Sequence, residues 1–217
     1  MIRVMLADDE AMIRAGVRAI LGVDPAIEVV AEAADGREAI ALALAHRPDV
    51  ALLDIRMPRL DGLAAAAEIL RVLPGAGVAM LTTFGDDEYV ARALDSGARG
   101  FLLKSGNPRD LLAGIHAISE GGAYLSPDIT ARVIGKLRSA GLGRAGEARA
   151  KVQQLTQRER DVLALIGAGL SNSQIARRLH LVEGTVKGHV SALLARLDLG
   201  NRVQAAILAH EAGLTAE

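Results

Sequence analysis

Five short apolar runs punctuate the first half of the chain: Ile2 to Ala7, Ile27 to Ala33, Val50 to Asp54, Val78 to Thr83 and Gly100 to Lys104. Runs of this length, bounded by turn residues and largely without polar alternation, suit strands that are covered on both faces. Helical patterns follow them at Met12 to Leu21, Gly36 to His46, Leu63 to Leu73, Asp87 to Ser96 and Pro108 to Glu120. Parallel strands require crossover connections, so five such strand and helix units predict a doubly wound α/β sheet.

Polar residues stand where these runs end. Asp8 and Asp9 follow the first, Asp54 closes the third, Thr82 lies at the end of the fourth and Lys104 closes the fifth. The carboxyl ends of parallel strands open on one edge, which brings the five into a single crevice. Asp8, Asp9 and Asp54 offer three anionic oxygen ligands, a set suited to Mg2+ rather than to a softer metal. A carboxylate can take a phosphoryl group only if that group's charge is neutralised, and a cation held this way does so. Phosphorylation then adds nearly two negative charges, which the Thr82 hydroxyl and the Lys104 ammonium can face. Any one of these residues alone is an ordinary strand-end residue. Together they predict a phosphoryl-accepting site.

At 217 residues the chain is long enough for one full core and a smaller second one, and two domains are expected. Its 51% hydrophobic and 24% charged content exclude a disordered or fibrous chain. Cysteine is absent, which excludes disulfides and thiolate metal sites. No signal-peptide pattern follows Met1, and no apolar run approaches the roughly 18 residues of a membrane span, so a soluble cytoplasmic protein without a membrane partner is expected. The net charge of -1 conceals an asymmetry. Residues 1 to 138 carry 15 Lys and Arg against 19 Asp and Glu, whereas residues 151 to 217 carry 8 against 6 and are mildly basic.

Beyond residue 120 the pattern changes. A helix is predicted at Pro127 to Arg138, and Ser139 to Ala150, rich in Gly, Ala and Arg, reads as a linker. From Lys151 four short helices follow, to about Ala168, from Ser171 to Leu179, from Glu183 to Leu197 and from Arg202 to Glu211. Thr156 with Glu159, and Ser171 with Gln174, have capping-box spacing. Helix-turn-helix DNA binding is the commonest purpose of such a module.

Residues 1 to 120 resemble a two-component response-regulator receiver domain. The resemblance rests on Ala7-Asp8-Asp9-Glu10, Leu53-Asp54-Ile55-Arg56-Met57-Pro58 with Asp61-Gly62, Leu81-Thr82-Thr83-Phe84, and Gly97 to Lys104. Residues 151 to 213 resemble the LuxR-type helix-turn-helix domain, so the whole chain is similar to the NarL/FixJ family, with residues 121 to 150 as extra helix and linker and residues 151 to 217 as the DNA-binding domain. The implied architecture is a flavodoxin-like, five-stranded parallel receiver sheet followed by an all-α four-helix DNA-binding domain. The implied phosphoacceptor is Asp54, with Asp8, Asp9, Asp54 and the Arg56 main-chain carbonyl around Mg2+. Thr82 would bond the phosphoryl group, Lys104 would pair with it, and Phe101 stands at the aromatic position that switches with Thr82, or else is simply core. Ser105 follows Lys104 where many receivers have proline, which removes the expectation of a cis peptide there. A sensor histidine kinase, a homodimer formed on phosphorylation, and double-stranded DNA with inverted half-sites are the implied partners.

A recognition helix presents short and basic side chains to the major groove. Thr185, Lys187 and Ser191 provide them, and Lys187 with Ser191, at i and i+4, is the expected groove-facing pair. His189 either packs within the domain or contacts DNA. Arg177, Arg178 and Arg196 are candidate phosphate contacts or solvated arginines. Gly188 costs about 1 kcal/mol of helix stability relative to alanine but lets a backbone approach DNA closely. Val182 stands where the family usually has a Ser or Thr cap, whose loss typically costs about 1 kcal/mol.

Two other classes compete with a phosphorylation-switched regulator. A haloacid-dehalogenase-like hydrolase also uses a strand-end Asp with Mg2+, but its second Asp would fall where Arg56 stands, and its nucleophile follows the first strand. A phosphorylation-independent LuxR-type regulator, with a structural or ligand-sensing receiver, is the alternative.

Overall fold

A computed structural model describes residues 1–83, 97–126, 129–130 and 143–214. The helices expected at Asp87 to Ser96 and over most of Pro127 to Arg138 lie outside the described residues. The chain divides into two compact units, Met1–Ser119 with Tyr124–Thr130, and Glu120–Ala123 with Ala131–Glu217.

The first unit runs β1 (Ile2–Ala7), α1 (Ala11–Leu21), β2 (Ile27–Ala33), α2 (Gly36–His46), β3 (Val50–Asp54), α3 (Gly62–Val72), β4 (Gly77–Thr82), β5 (Gly100–Leu103), α4 (Pro108–Ser119) and β6 (Tyr124–Leu125). The sheet is parallel, in the order β2-β1-β3-β4-β5-β6. Every residue of β3 and β4 is buried, as strands covered on both faces require. Val4, Leu6, Val50, Leu52, Ala79, Leu81 and Leu102 pack with Val17 and Leu21 of α1 and Leu111, Ile115 and Ile118 of α4. The opposite face takes the small residues of α2 and α3, with Ala39, Ala43, Ala65 and Ala66 all buried. The chain steps from β1 out to β2 and then back past β1 to β3, so strand order reverses at β1 and β3. Their carboxyl ends therefore open a crevice.

A sixth strand is a correction to the expected five. Tyr124–Leu125 pairs with Gly100 and Phe101 of β5, Tyr124 N donates to Arg99 O at 2.9 Å, and the Tyr124 hydroxyl donates to Asp110 at 3.1 Å. Two residues leave no periodic signature, and only the neighbouring strand makes them a strand.

The second unit contains α5 (Gly143–Gln153), α6 (Gln157–Gly167), α7 (Asn172–Leu179), α8 (Glu183–Leu197) and α9 (Arg202–Ala212). Five helices thus stand among the described residues where four were expected, because much of the presumed linker is helical. Alanine and the long basic and acidic side chains of Ala145 to Gln153 are good helix formers, and Ala148 and Val152, at i and i+4, bury one side in the core. Both expected capping boxes are present, at Thr156 with Glu159 and Ser171 with Gln174. Among the described residues no helix is long and apolar enough to cross a membrane.

Candidate functional site

The acidic crevice is assembled by strand ends. Asp8 N donates to Ala33 O at 3.1 Å, continuing the β1–β2 ladder one residue past β1, and Asp8 Oδ1 accepts from Glu10 N at 2.9 Å. Asp54 is the last residue of β3, opposite Leu81 of β4, and Thr82 closes β4 opposite Leu103. Lys104 N donates to Thr82 O at 2.7 Å, which fixes the start of its side chain beside the threonine.

Carboxylate oxygens of Asp8, Asp9 and Asp54 lie within 4.8 Å of one another, Asp8 and Asp54 buried and Asp9 exposed. Lys104 Nζ lies 2.7 Å from Asp8 Oδ2 and 3.2 Å from Asp54 Oδ2, with Glu10 3.8 Å away and only 4% of the lysine side chain exposed. One ammonium cannot balance three carboxylates, and the surplus negative charge in an all-oxygen donor set fits a hard divalent cation. Burial raises the Asp54 pKa above its ordinary value, against the opposing pull of Lys104 and with a further push from Asp8. For Lys104, burial favours the neutral amine, but the hydrogen bond it donates to Asp8 and the charge of Asp54 outweigh it and raise its pKa.

The remaining residues expected at this site are distributed around it. Thr82 is buried at the neighbouring strand end, Phe101 is wholly buried in β5 opposite Met80, and Arg56 is exposed on the loop that follows Asp54. Sequence reasoning passed over Arg14, whose Nη1 donates to Asp8 O at 2.6 Å while its Nε lies 3.3 Å from Glu32. Nothing in the local pattern announces a tether between α1, β1 and β2.

In the second unit, Val186, Val190, Leu193 and Leu197 bury one face of α8. The opposite face consists of exposed Gly184, Gly188, Ser191 and Ala195, flanked by exposed Lys187 and Thr185. A Cβ on Gly184 or Gly188 would meet nothing within 4 Å, so the helix backbone there is open to a close approach. His189 lies half-buried at the border of the two faces. Lys187 Nζ is 3.1 Å from Glu183 one turn earlier. Val182 caps α8 without a side-chain hydrogen bond and is 75% exposed. Arg177 and Arg178 are exposed in the last turn of α7. Arg196 stands near the far end of α8, its guanidinium bonded to Glu159 at 2.8 Å and to Gln154 O at 2.7 Å. No local pattern signals Arg202 either: buried at the start of α9, it donates to Asn172 Oδ1 at 2.8 Å and to Leu170 O, fastening α9 to the start of α7.

Comparison with known proteins agrees with both halves. Residues 4–116 match the family described as Response regulator receiver domain, and residues 153–209 match Bacterial regulatory proteins, luxR family. The chain is 38% identical over 210 residues to Transcriptional regulatory protein LiaR of Bacillus subtilis (strain 168), covering 97% of each. It is 39% identical over 208 residues to Nitrate/nitrite response regulator protein NarL of Escherichia coli (strain K12), covering 96% of this chain and 94% of that one. Among solved structures it is similar to the response regulator ChrA of a heme-sensing two-component system, at 34% identity and a TM-score of 0.53 over 98% of both chains. It is also similar to a LuxR-family two-component response regulator from Aurantimonas sp. SI85-9A1, at 32% identity and a TM-score of 0.60, over 63% of this chain and 97% of that one.

Proposed function

This chain belongs to the two-domain response regulators, a receiver domain joined to a luxR-type DNA-binding domain, and we propose that phosphorylation of Asp54 by a sensor histidine kinase switches its control of transcription. The observation that carries this reading is the position of Lys104, held between Asp8 and Asp54 beside a three-carboxylate cluster.

An Asp54 oxygen forms the new P–O bond as the P–N bond of the donor phosphohistidine breaks. Asp8, Asp9, Asp54 and the Arg56 main-chain carbonyl would hold Mg2+, which when bound would neutralise charge on the transferred group. Lys104 then exchanges its Asp54 contact for a phosphoryl oxygen, and the Thr82 hydroxyl donates to another. Phe101, packed in β5 opposite Met80, follows the Thr82 movement. This rearrangement favours a homodimer that sets two α8 helices on inverted half-sites of double-stranded DNA, about one helical turn apart. Lys187, Ser191 and Thr185 meet the major groove, Arg177 and Arg178 meet phosphates, and His189 and Arg196 lie at the margin of the interface. The cytoplasm, where kinase and promoter meet, is the proposed location.

Labelling with acetyl phosphate and Mg2+ tests the site: wild type takes up about one phosphoryl group per chain and Asp54→Asn none. Stoichiometric labelling of Asp54→Asn overturns the assignment. Sedimentation with and without beryllofluoride tests the dimer. Unchanged mass together with unchanged DNA affinity favours a phosphorylation-independent regulator.

A further inference from the structure

The loop that leaves Asp54 ends at Asp61, which caps α3 by accepting from Ala64 N at 2.7 Å. Its base closes beside Asp54, where Gly62 N donates to Ile55 O at 2.9 Å. Its tip is fastened elsewhere, on the turn between β2 and α2. Gly36 N donates to Leu60 O at 3.2 Å, and a Cβ on Gly36 would stand 2.4 Å from that oxygen. Beside this contact lies Asp35, only 1% exposed. Its Oδ1 accepts from Arg37 N at 2.8 Å and Glu38 N at 3.0 Å, capping α2, while its Oδ2 accepts from Arg59 Nη2.

Arg59 is an unusual choice for its backbone. Its φ of 66° lies in the left-handed region, which glycine occupies freely and other residues adopt at a cost. Its side chain is 65% exposed, so it fills no part of the core. What arginine adds at this turn is the guanidinium on Asp35.

We propose that Asp35 and Arg59 form a latch that positions the Ile55–Pro58 segment, and with it the Arg56 carbonyl, for the cation of the acidic crevice. The inference rests on the reading of Asp54 as phosphoacceptor. Both residues are positioning residues, acting through the loop rather than touching the phosphoryl group. Outer partners of this kind commonly alter metal affinity about 10-fold or more when removed.

The test measures Mg2+ affinity of the full chain by titration calorimetry, for wild type, Arg59→Gly, Arg59→Lys and Asp35→Asn, at a temperature where circular dichroism shows all four folded. Arg59→Gly relieves the backbone and removes the cation; Asp35→Asn keeps an oxygen for the α2 cap and removes the charge. Expected are an approximately 10-fold loss of Mg2+ affinity in Arg59→Gly, a loss in Asp35→Asn, and recovery of most of the affinity in Arg59→Lys. Combining Arg59→Gly with Asp35→Asn should add little to either alone, as for two halves of one contact. Wild-type affinity in either Arg59→Gly or Asp35→Asn overturns the latch, and so does a loss in Arg59→Gly that lysine fails to restore. Should Arg59→Gly fail to fold, Asp35→Asn and Arg59→Lys decide the same question: weakened Mg2+ binding in the first alone supports the latch, and wild-type binding in the first overturns it. Acetyl phosphate labelling run in parallel separates the two readings: wild type labelled at Asp54 with variants unchanged in Mg2+ affinity rejects the latch alone, whereas wild type without label rejects the phosphoacceptor reading and the latch with it.

Discussion

Gly62 lies against the main chain of Asp54 so closely that a Cβ on the glycine would stand 1.8 Å from the Asp54 carbonyl oxygen. No side chain fits there without moving the backbone of Asp54 itself. Gly62→Ala should therefore destabilise the receiver by about 3 kcal/mol, the upper end of overpacking costs, and lower labelling of Asp54. Urea denaturation followed by circular dichroism checks the first effect, and a wild-type midpoint would show that the loop yields without strain.

The buried Asp54 carboxyl gives a pH dependence of definite sign. Burial raises its pKa in the folded state, so its contribution to stability is full while it is neutral and is lost as pH rises from the ordinary aspartate range through the higher folded value. Asp54→Asn removes that loss. In metal-free buffer, its urea midpoint should move increasingly above that of wild type as pH rises from about 4. Added Mg2+ should narrow the gap by stabilising wild type. A difference that stays flat with pH contradicts the account.

Lys187 lies 3.1 Å from Glu183 in an exposed i,i+4 pair, and the proposed DNA contact would compete with that pair. Lys187→Ala should weaken binding to an operator and, for a phosphate contact, lower the salt slope by about one. Glu183→Gln should strengthen binding about twofold, since an exposed pair of this kind is worth only about 0.3–0.5 kcal/mol. Gel-shift titrations at several salt concentrations distinguish both from a Lys187 that stays clear of the interface.

The start of α8 has no side-chain cap, Val182 being unable to accept a hydrogen bond. Val182→Ser should stabilise the DNA-binding unit by about 1 kcal/mol. A thermal melt of the full chain, followed by helical circular dichroism, reads this directly. An unchanged melting temperature would place the free amide groups in water at no cost.

Local features were legible where one residue's chemistry suffices. The β strands announce themselves because β3 and β4 are buried on both faces and so lack polar interruption. The capping boxes at Thr156 and Ser171 are legible because each joins two residues only three positions apart. The stretch around Ala148 was not, since its composition reads as a linker until Ala148 and Val152 find a core to bury against. Arg196 and Lys187 look alike in sequence, yet Arg196 is bonded to Glu159 and Gln154 O on distant turns of the domain whereas Lys187 pairs with Glu183 one turn earlier on its own helix.

The class of fold, the acidic cluster with its lysine, and the helix-turn-helix module can all be read from the order of residues, because each is carried by periodicity or by residue type at a strand end. Tertiary structure alone decided the pairings: Lys104 with Asp8 and Asp54, Asp35 with Arg59, Arg202 with Asn172. Each joins residues 24 to 96 positions apart. Such contacts depend on strand order and on where loops end, and no local pattern of side chains records either.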